Sequence, residues 1–481
     1  MAFIRKVKTT SGATAVQIAQ KEHGRIVRID HIGSAHSKED LKTLLALANK
    51  RLLGGQQLLF TESPPLRVRL RKSVSRLLLD VLTEQYNSLG FNQVKDVVFT
   101  YLCVARIVEP TSKLDSIRVL GEMGVTGLSK NRLYRCLGQM ISKEYRKTIT
   151  AQCFAYAKAS GISLVLYDVT TLYFEVQIED DYRKSGMSKE RRLEPQIIVG
   201  LLVDQSGFPL GLHSFEGNTA ETKTILPVIE AFKKQHNLEN ITVVADAGML
   251  SHKNLEELTT AGYTYIVGSR LHKIPYDIAE YRKTGTLADK QIITTALTQE
   301  QRIIYQYREK RAALDLRNIE KQVAKAEKII NGTIVAKKTK FIRSTMKEKE
   351  LNQTLIDKAK ALAGIKGYVT NLVVPDEQVI ASYHQLWHVE QAFRMSKSDL
   401  KARPIFHQKR DAIEAHLTIV LAALAIGKLI ENNTGMTIKR FIRMLRPIRS
   451  GVVVINDREY EAEAEISTEA QTVILKLRSG H

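Results

Sequence analysis

Apolar and polar positions along the chain fall into three regimes. Residues 15–19 and 25–29 are short strand-like runs, and Leu41, Leu44, Leu45 and Leu52 then recur at helical spacing, which predicts a helix over about 38–53. Pro64 and Pro65 break the pattern, and residues 66–72 alternate apolar with basic side chains. From 74 to 160 the period is helical. Ser112 is placed to cap a helix reaching about Met123, residues 124–128 form a turn, and Ser129 is placed to cap a second helix over KNRLYRCLGQMI. From 161 the period becomes that of strands, predicted at 163–168, 171–177, 195–204, 208–215, 241–246 and 263–268, with helices at 221–235 and 252–261. Residues 302–331 read as a strand passing into a helix with Ile319, Val323, Ala326 and Ile330 on one stripe. A helix at 347–363, a strand at 367–374, helices around Glu390, at 411–431 and at 436–445, and a β-like tail over 452–477 complete the pattern. There is no internal repeat and no low-complexity linker.

This order predicts an α/β fold: a ribonuclease-H-like mixed-sheet core carrying a charged insertion subdomain, preceded by a small α+β module and a helical region. The boundaries are 1–63 for the N-terminal module, 64–160 for the helical region, 161–275 and 366–432 for the two parts of the core, 276–365 for the insertion and 433–481 for a C-terminal region. A chain of 481 residues with 44 % hydrophobic content can fill two to four domains with real cores.

Charge narrows the choice of partner. The chain carries a net charge of +21 and a pI near 9.6, which favours a polyanion, nucleic acid being the commonest, although ribosomal and membrane-surface proteins share such a balance. The excess is concentrated. Residues 1–80 hold 15 Lys and Arg against 6 Asp and Glu, and residues 299–361 hold 16 against 8. Arg67, Arg69 and Arg71 stand on the alternating stretch. The two capped helices resemble a helix-turn-helix, which would turn Lys130, Arg132 and Arg135 toward DNA; an ordinary helical hairpin with a solvated basic face has the same pattern. The 299–361 stretch reads either as a solvated helical hairpin or as a subdomain that follows a phosphate backbone. Cys103, Cys136 and Cys153 are odd in number and lack C-x-x-C spacing, as expected of core thiols in a reducing cytoplasm. The N-terminus has no secretory h-region, and the apolar run at 417–426 is short for a bilayer and reads as a core helix. A soluble intracellular protein with no membrane partner is expected.

Three carboxylates carry the candidate chemistry. Asp168 closes the run Leu164-Val165-Leu166-Tyr167, and Asp246 closes Ile241-Thr242-Val243-Val244-Ala245. A carboxylate ending a buried strand is costly unless paired, and strand ends are where ligands collect; it can also simply cap the next turn. Glu390 lies in YHQLWHVEQAFRMSK, where i and i+7 spacing sets Tyr383, Glu390 and Lys397 on one helical face. Glu390 and Arg394 also fit an exposed i,i+4 ion pair. Two strand-end aspartates and a helical glutamate can hold a pair of divalent metals for phosphoryl transfer. Other chemistries fit less well. His384 and His388 lack the glutamate of an H-E-x-x-H zinc site. Gly200, Gly207 and Gly211 do not form a phosphate loop, and no Ser or Cys stands in a nucleophile motif.

The segment YHQLWHVEQAFRMSK resembles the Y-x2-R-x3-E-x6-K signature of the DDE transposases of bacterial insertion sequences. Tyr383, Glu390 and Lys397 match, and Leu386 stands at the arginine position, with Arg394 the nearest replacement. LVLYDVTTLYFE resembles the family's first-aspartate strand, VVADAGMLS its second, and FEGNTAETKTILPVI its G-N-x-x-E segment, which adds Asn218 and Glu221 as pocket residues. GIKGYVTNL, LKARPIFHQKRDAIEAHL, MAFIRKVKTTSGATAVQI and RIVEPTSKLDSIRVL also resemble family segments, so the likeness spans nearly the whole chain. It implies metal-dependent cleavage at insertion-sequence ends and strand transfer into target DNA. Asp168, Asp246 and Glu390 would hold two Mg²⁺ ions, with Mn²⁺ as a substitute, and Tyr383, Lys397 and Arg394 would position phosphates. It further implies double-stranded DNA as partner, both terminal inverted repeats and target, a homodimer on paired ends, and a bacterial, cytoplasmic, nucleoid-associated location. The alternatives are a transposase-derived DNA-binding protein without catalysis and a ribonuclease-H-like nuclease without strand transfer.

Overall fold

The computed structural model describes residues 1–52, 54, 68–159, 161–175, 178–187, 193–238, 240–248, 252–269, 271, 275–335, 340–344, 349–455 and 457–479. The chain divides into two compact units, one of Met1–Arg69 with Val454–Tyr460, the other of Leu70–Val453 with Glu461–His481. In the first, β1 (Ala2–Lys8), β2 (Thr14–Glu22) and β3 (Arg25–Ala35) form an antiparallel sheet in that order. Helix α1 (Lys38–Leu52) packs on all three strands and buries Ala48 while Val16 and Ala19 face inward. Ser37 caps α1 through the Asp40 amide, and the helix carries Glu39 and Asp40 in its first turn and Lys50 and Arg51 in its last, matching its dipole. Sequence periodicity missed β1, because its apolar Phe3, Ile4 and Val7 alternate irregularly with basic residues.

In the second unit, β4 (Val68–Val74) precedes five helices, α2 (Arg76–Ser88), α3 (Val97–Val108), α4 (Ser116–Glu122), α5 (Lys130–Ser142) and α6 (Tyr145–Lys158). Asp96 caps α3 through the Val98 and Phe99 amides, and Ser129 caps α5 through Arg132, as its position predicts. Ser112 instead accepts from the Asp115 amide in a turn before α4, so that helix starts later than expected.

The remaining strands are β5 (Leu164–Tyr173), β6 (Gln196–Val203), β7 (Pro209–Glu216), β8 (Thr242–Ala245), β9 (Thr264–Ser269), β10 (Ile292–Ala296), β11 (Arg302–Tyr307), β12 (Ile342–Ser344), β13 (Lys349–Leu351), β14 (Ile365–Thr370), β15 (Ser450–Ile455) and β16 (Arg458–Ala462). Between and after them run α7 (Ile225–His236), α8 (His252–Thr260), α9 (Tyr276–Thr284), α10 (Glu309–Ile330), α11 (Gln353–Ala361), α12 (Asp376–His384), α13 (Trp387–Arg394), α14 (Arg410–Thr434), α15 (Ile438–Leu445) and α16 (Thr468–Ser479). Eight strands make the main sheet, in the order β10-β11-β14-β9-β8-β5-β6-β7. Strands β5, β8 and β9 are parallel, β6 returns antiparallel to β5, and β7 antiparallel to β6. Taken from β7 to β9, this is the 3-2-1-4-5 mixed sheet of a ribonuclease-H-like core. The chain then adds β14, β11 and β10 antiparallel at its edge.

Three sequence expectations are corrected. The strands predicted at 163–168 and 171–177 are one strand, because Val169, Thr170, Thr171 and Leu172 continue the β-branched and apolar run and pair with β6 throughout. Asp168 therefore lies within a strand and not at its end. The helix expected at 347–363 begins only at Gln353, where Asn352 caps it; β13 pairs with β12 before it, and α10 and α11 share a small apolar cluster of Ile319, Ala326, Phe341 and Ile356. The tail is not β throughout but ends in α16, which buries Ala470, Val473, Ile474 and Leu477.

Helix α14 runs through the core against α2, α3, α5, α6 and β7. It is, among the described residues, the one helix long and apolar enough to cross a membrane, and 94 % of its most apolar stretch is buried within the fold. Leu424 on this helix is fully buried. Leu424→Ala is expected to cost about 2–5 kcal/mol in urea denaturation; a loss below about 1 kcal/mol would contradict this central placement.

Candidate active site

Strand register builds the site. Tyr167 on β5 is paired with Ala245 on β8, and Ala245 with Val267 on β9. The next residues in each chain direction, Asp168, Asp246 and Gly268, therefore stand side by side, about 5 Å apart from strand to strand. Gly268 is in turn paired with Tyr368 on β14. Residues abreast in a sheet point to one face, so the two aspartates of the sequence analysis, 78 residues apart, meet on neighbouring parallel strands. Asp168 is partly exposed and Asp246 exposed.

Helices α12 and α13 cover this row, α12 against β8, β9 and β14, α13 against β5 and β6. The Tyr383 hydroxyl donates to Asp246 Oδ1 at 2.9 Å. It crosses β9 to do so, at Gly268: a Cβ there would lie 2.6 Å from the Tyr383 hydroxyl oxygen. Burial, with the negative charge of Asp246 behind it, pushes the phenol well above its ordinary range, so Tyr383 stays a neutral donor. Arg302 on β11 holds the start of α12 by bonding the Leu372 and Val374 carbonyls and pairing with Asp376 at 3.1 Å, and Thr294 on β10 also bonds Asp376. The strands added at the sheet edge thus anchor the helix that carries Tyr383.

Glu390 sits exposed on α13. The sequence predicts one regular helix through Tyr383, Glu390 and Lys397. The structure tightens the backbone between α12 and α13, where the amides of Leu386, His388 and Val389 bond back three residues at 3.0, 2.9 and 3.2 Å. It then widens into a π-helical turn, Met395–Asp399, a feature often found beside functional sites. Lys397 is half-buried in that turn, and Arg394 is exposed at the end of α13. Leu386 is buried, at 7 % exposure.

Sequence reasoning missed Lys366. It projects from β14 over the Tyr383 ring, its Nζ 4.3 Å from the centroid, and 5.7 Å from that of Tyr368. Burial and the neighbouring Arg311 pull its ammonium below the usual lysine range, while Asp246 and Glu390 pull it back up. Lys366 and Tyr383 each feel both Asp246 and Glu390, which ties the helical glutamate to the aspartate row. A lone lysine between Ile365 and Gly367 in an otherwise buried strand was the available signal.

Among the described residues, no three His, Cys, Asp or Glu side chains are closed into a metal-sized cluster. Asp168 and Asp246 on the shared face, with Glu390 on the covering helix, offer only carboxylate oxygens, donors suited to Mg²⁺ or Mn²⁺ and not to zinc. Asn218 is exposed just beyond β7. Glu221, in a 3₁₀ turn, acts on Tyr167, whose side chain leaves β5 on the face opposite Asp168.

The basic candidates are separate from this row. Arg67 lies outside the described residues. Arg69 pairs with Asp457 at 2.8 Å, and Arg71 is exposed. Helix α5 buries Leu133, Cys136, Leu137 and Met140 and exposes Lys130, Arg132 and Arg135. Lys95 and Lys143 join Arg132, Arg135 and Gln139 around a cleft of about 350 Å³. A cavity of about 530 Å³ around the Arg146–Glu414 pair shares no lining residue with the carboxylate row. The three cysteines are buried free thiols.

The clash at Gly268 is testable. Gly268→Ala is expected to destabilise the fold by about 1–3 kcal/mol. Combined with Tyr383→Phe, which deletes the clashing oxygen, the two losses should be less than additive in denaturation. Full additivity would contradict the contact.

The family described as "Transposase DDE domain" matches residues 159–426. No curated protein matches the chain. Among solved structures, the piggyBac transposase synaptic complex with hairpin DNA is similar at 10 % identity and a TM-score of 0.43, covering 78 % of this chain and 79 % of that one. The Mos1 transposase paired-end complex with left transposon end is similar at 13 % identity and a TM-score of 0.17, covering 47 % and 66 %.

Proposed function

The chain belongs to the transposase DDE domain family, and on that premise we propose that it cuts the ends of an insertion sequence and joins them to target DNA. The observation that carries this reading is the register that sets Asp168 beside Asp246 under the helix bearing Glu390. These three side chains would hold two Mg²⁺ ions, or Mn²⁺ in their place. Bound there, the ions would activate water against the terminal phosphodiester and stabilise the departing 3′ oxygen. The freed 3′-OH then attacks target DNA in line at the same site.

The protein's own groups do the positioning. Tyr383 holds one oxygen of Asp246 and so orients the carboxylate. Lys397 and Arg394 contact phosphates near Glu390, and Asn218 shapes the pocket, while Glu221 supports β5 from its other face through Tyr167. Arg67, Arg69 and Arg71, with Lys130, Arg132 and Arg135 on α5, hold the terminal inverted repeats of double-stranded DNA. Two ends must be joined, so a homodimer on paired ends acts in the bacterial cytoplasm, on the nucleoid.

The test uses a duplex carrying the DNA that flanks the gene. The wild-type protein with Mg²⁺ is expected to cleave it at the element end, and Asp168→Asn to lose at least about 100-fold in rate. Equal rates would refute the site. Pre-cleaved ends incubated with a target plasmid should give joined products; hydrolysis alone would favour a nuclease, and binding without cleavage a DNA-binding derivative.

Affinity for the duplex is expected to fall on Arg135→Ala, and the slope of log affinity against log salt to drop by about one. An unchanged slope would remove Arg135 from the phosphate contacts.

A further inference from the structure

A phosphodiester held at a carboxylate site needs fixed positive charge on its non-bridging oxygens, placed before the reaction begins. The side chain at the signature's arginine position cannot supply it, since Leu386 is apolar and buried. Arg394 stands exposed on α13, and among the described residues its side chain makes no ion pair or hydrogen bond. We propose that Lys366 is the positioning cation for the scissile phosphate, reaching from β14 to do what Leu386 cannot. This rests on the transposase reading above.

Three observations converge on Lys366. It lies two residues before Tyr368 on β14, so both face the side that carries the Asp168–Asp246–Gly268–Tyr368 row. Its ammonium lies over two aromatic rings, Tyr383 at 4.3 Å and Tyr368 at 5.7 Å, which stabilise the cation and limit the freedom it would lose on binding phosphate. It feels Asp246 and Glu390 electrostatically. Among the described residues, however, it makes no ion pair or hydrogen bond with either. The ammonium is therefore beside the carboxylates but not committed to them, and its N–H groups remain to donate to a phosphate oxygen. Arg311, paired with Asp315 at 3.6 Å at the start of α10, adds a second positive charge next to it. No bond is made or broken at Lys366 itself; it donates hydrogen bonds to an oxygen that keeps its charge through the displacement.

The experiment compares single-turnover cleavage of the flanking-DNA duplex by wild type, Lys366→Met and Lys366→Arg, with gel-shift affinity measured alongside. Lys366→Met is expected to slow cleavage about 100-fold with affinity changed less than threefold, and Lys366→Arg to recover at least tenfold of that loss. A neutral methylphosphonate at the scissile position supplies the readout that a structural role would not move. It should slow the wild type strongly and add little to the loss in Lys366→Met, because both remove the same interaction. If thermal melting shows Lys366→Met to be unfolded, Lys366→Gln takes its place in the same cycle. Cleavage by wild type and by the neutral variant at equal rates, or full additivity with the methylphosphonate, would overturn the assignment and leave the transposase reading standing. Absence of cleavage by the wild type itself would overturn that reading, and this assignment with it.

Discussion

The hydroxyl of Tyr383 reaches Asp246 because the strand it crosses carries no side chain at Gly268. That single contact fixes how close α12 approaches the sheet, and α13 follows from it in the chain. A methyl group at residue 268 would lift the helix or turn the ring, and Glu390 would lose its height above the aspartate row. The contact depends in turn on register. Parallel pairing of β5, β8 and β9 puts Asp168, Asp246 and Gly268 abreast; a slip of one residue between β5 and β8 would put the two carboxylates on opposite faces.

The added strands have a structural reason to be there. A ribonuclease-H-like sheet could end at β9, but here β14 supplies Tyr368 and Lys366 beneath Tyr383, and β11 supplies the Arg302 clamp on α12. The charged stretch between β11 and β14 is mounted on the sheet by the two strands that support the helix carrying Tyr383. Burial lowers the proton affinity of Lys366, and Arg311 at the root of this stretch lowers it further. Positive charge thus extends from the carboxylate row into α10, on a chain whose net charge is +21.

Much of this arrangement was legible in the sequence because buried parallel strands read as uninterrupted apolar runs. Asp168 and Asp246 stood out at the point where each run first turns polar. The reading failed where one local signal covered two structures. Val169 and Thr170 fall between the two predicted strands and are the interior of one. The YHQLWHVEQAFRMSK segment has a helical period throughout, yet its backbone tightens before Glu390 and widens after it, which no pattern of side chains revealed. Residues 468–477 fall in the β-like tail that the Thr472-Val473-Ile474-Leu475 run suggests, and they are helix. Ser467 at the cap, Glu469 in the first turn and Lys476 and Arg478 in the last were the signals for a helix. Lys366 was passed over because a single lysine in a strand carries no motif; its meaning comes from the two tyrosines that flank its ammonium.

The central claim is that Asp168, Asp246 and Glu390 form one divalent-metal site. Crystals soaked in Mn²⁺ and measured at its absorption edge test it most directly. The expected result is anomalous density within about 2.0–2.3 Å of the Asp168 and Asp246 carboxylates, with Glu390 completing the shell. Density at other residues, or none at these in crystals that bind Mn²⁺ elsewhere, would contradict it.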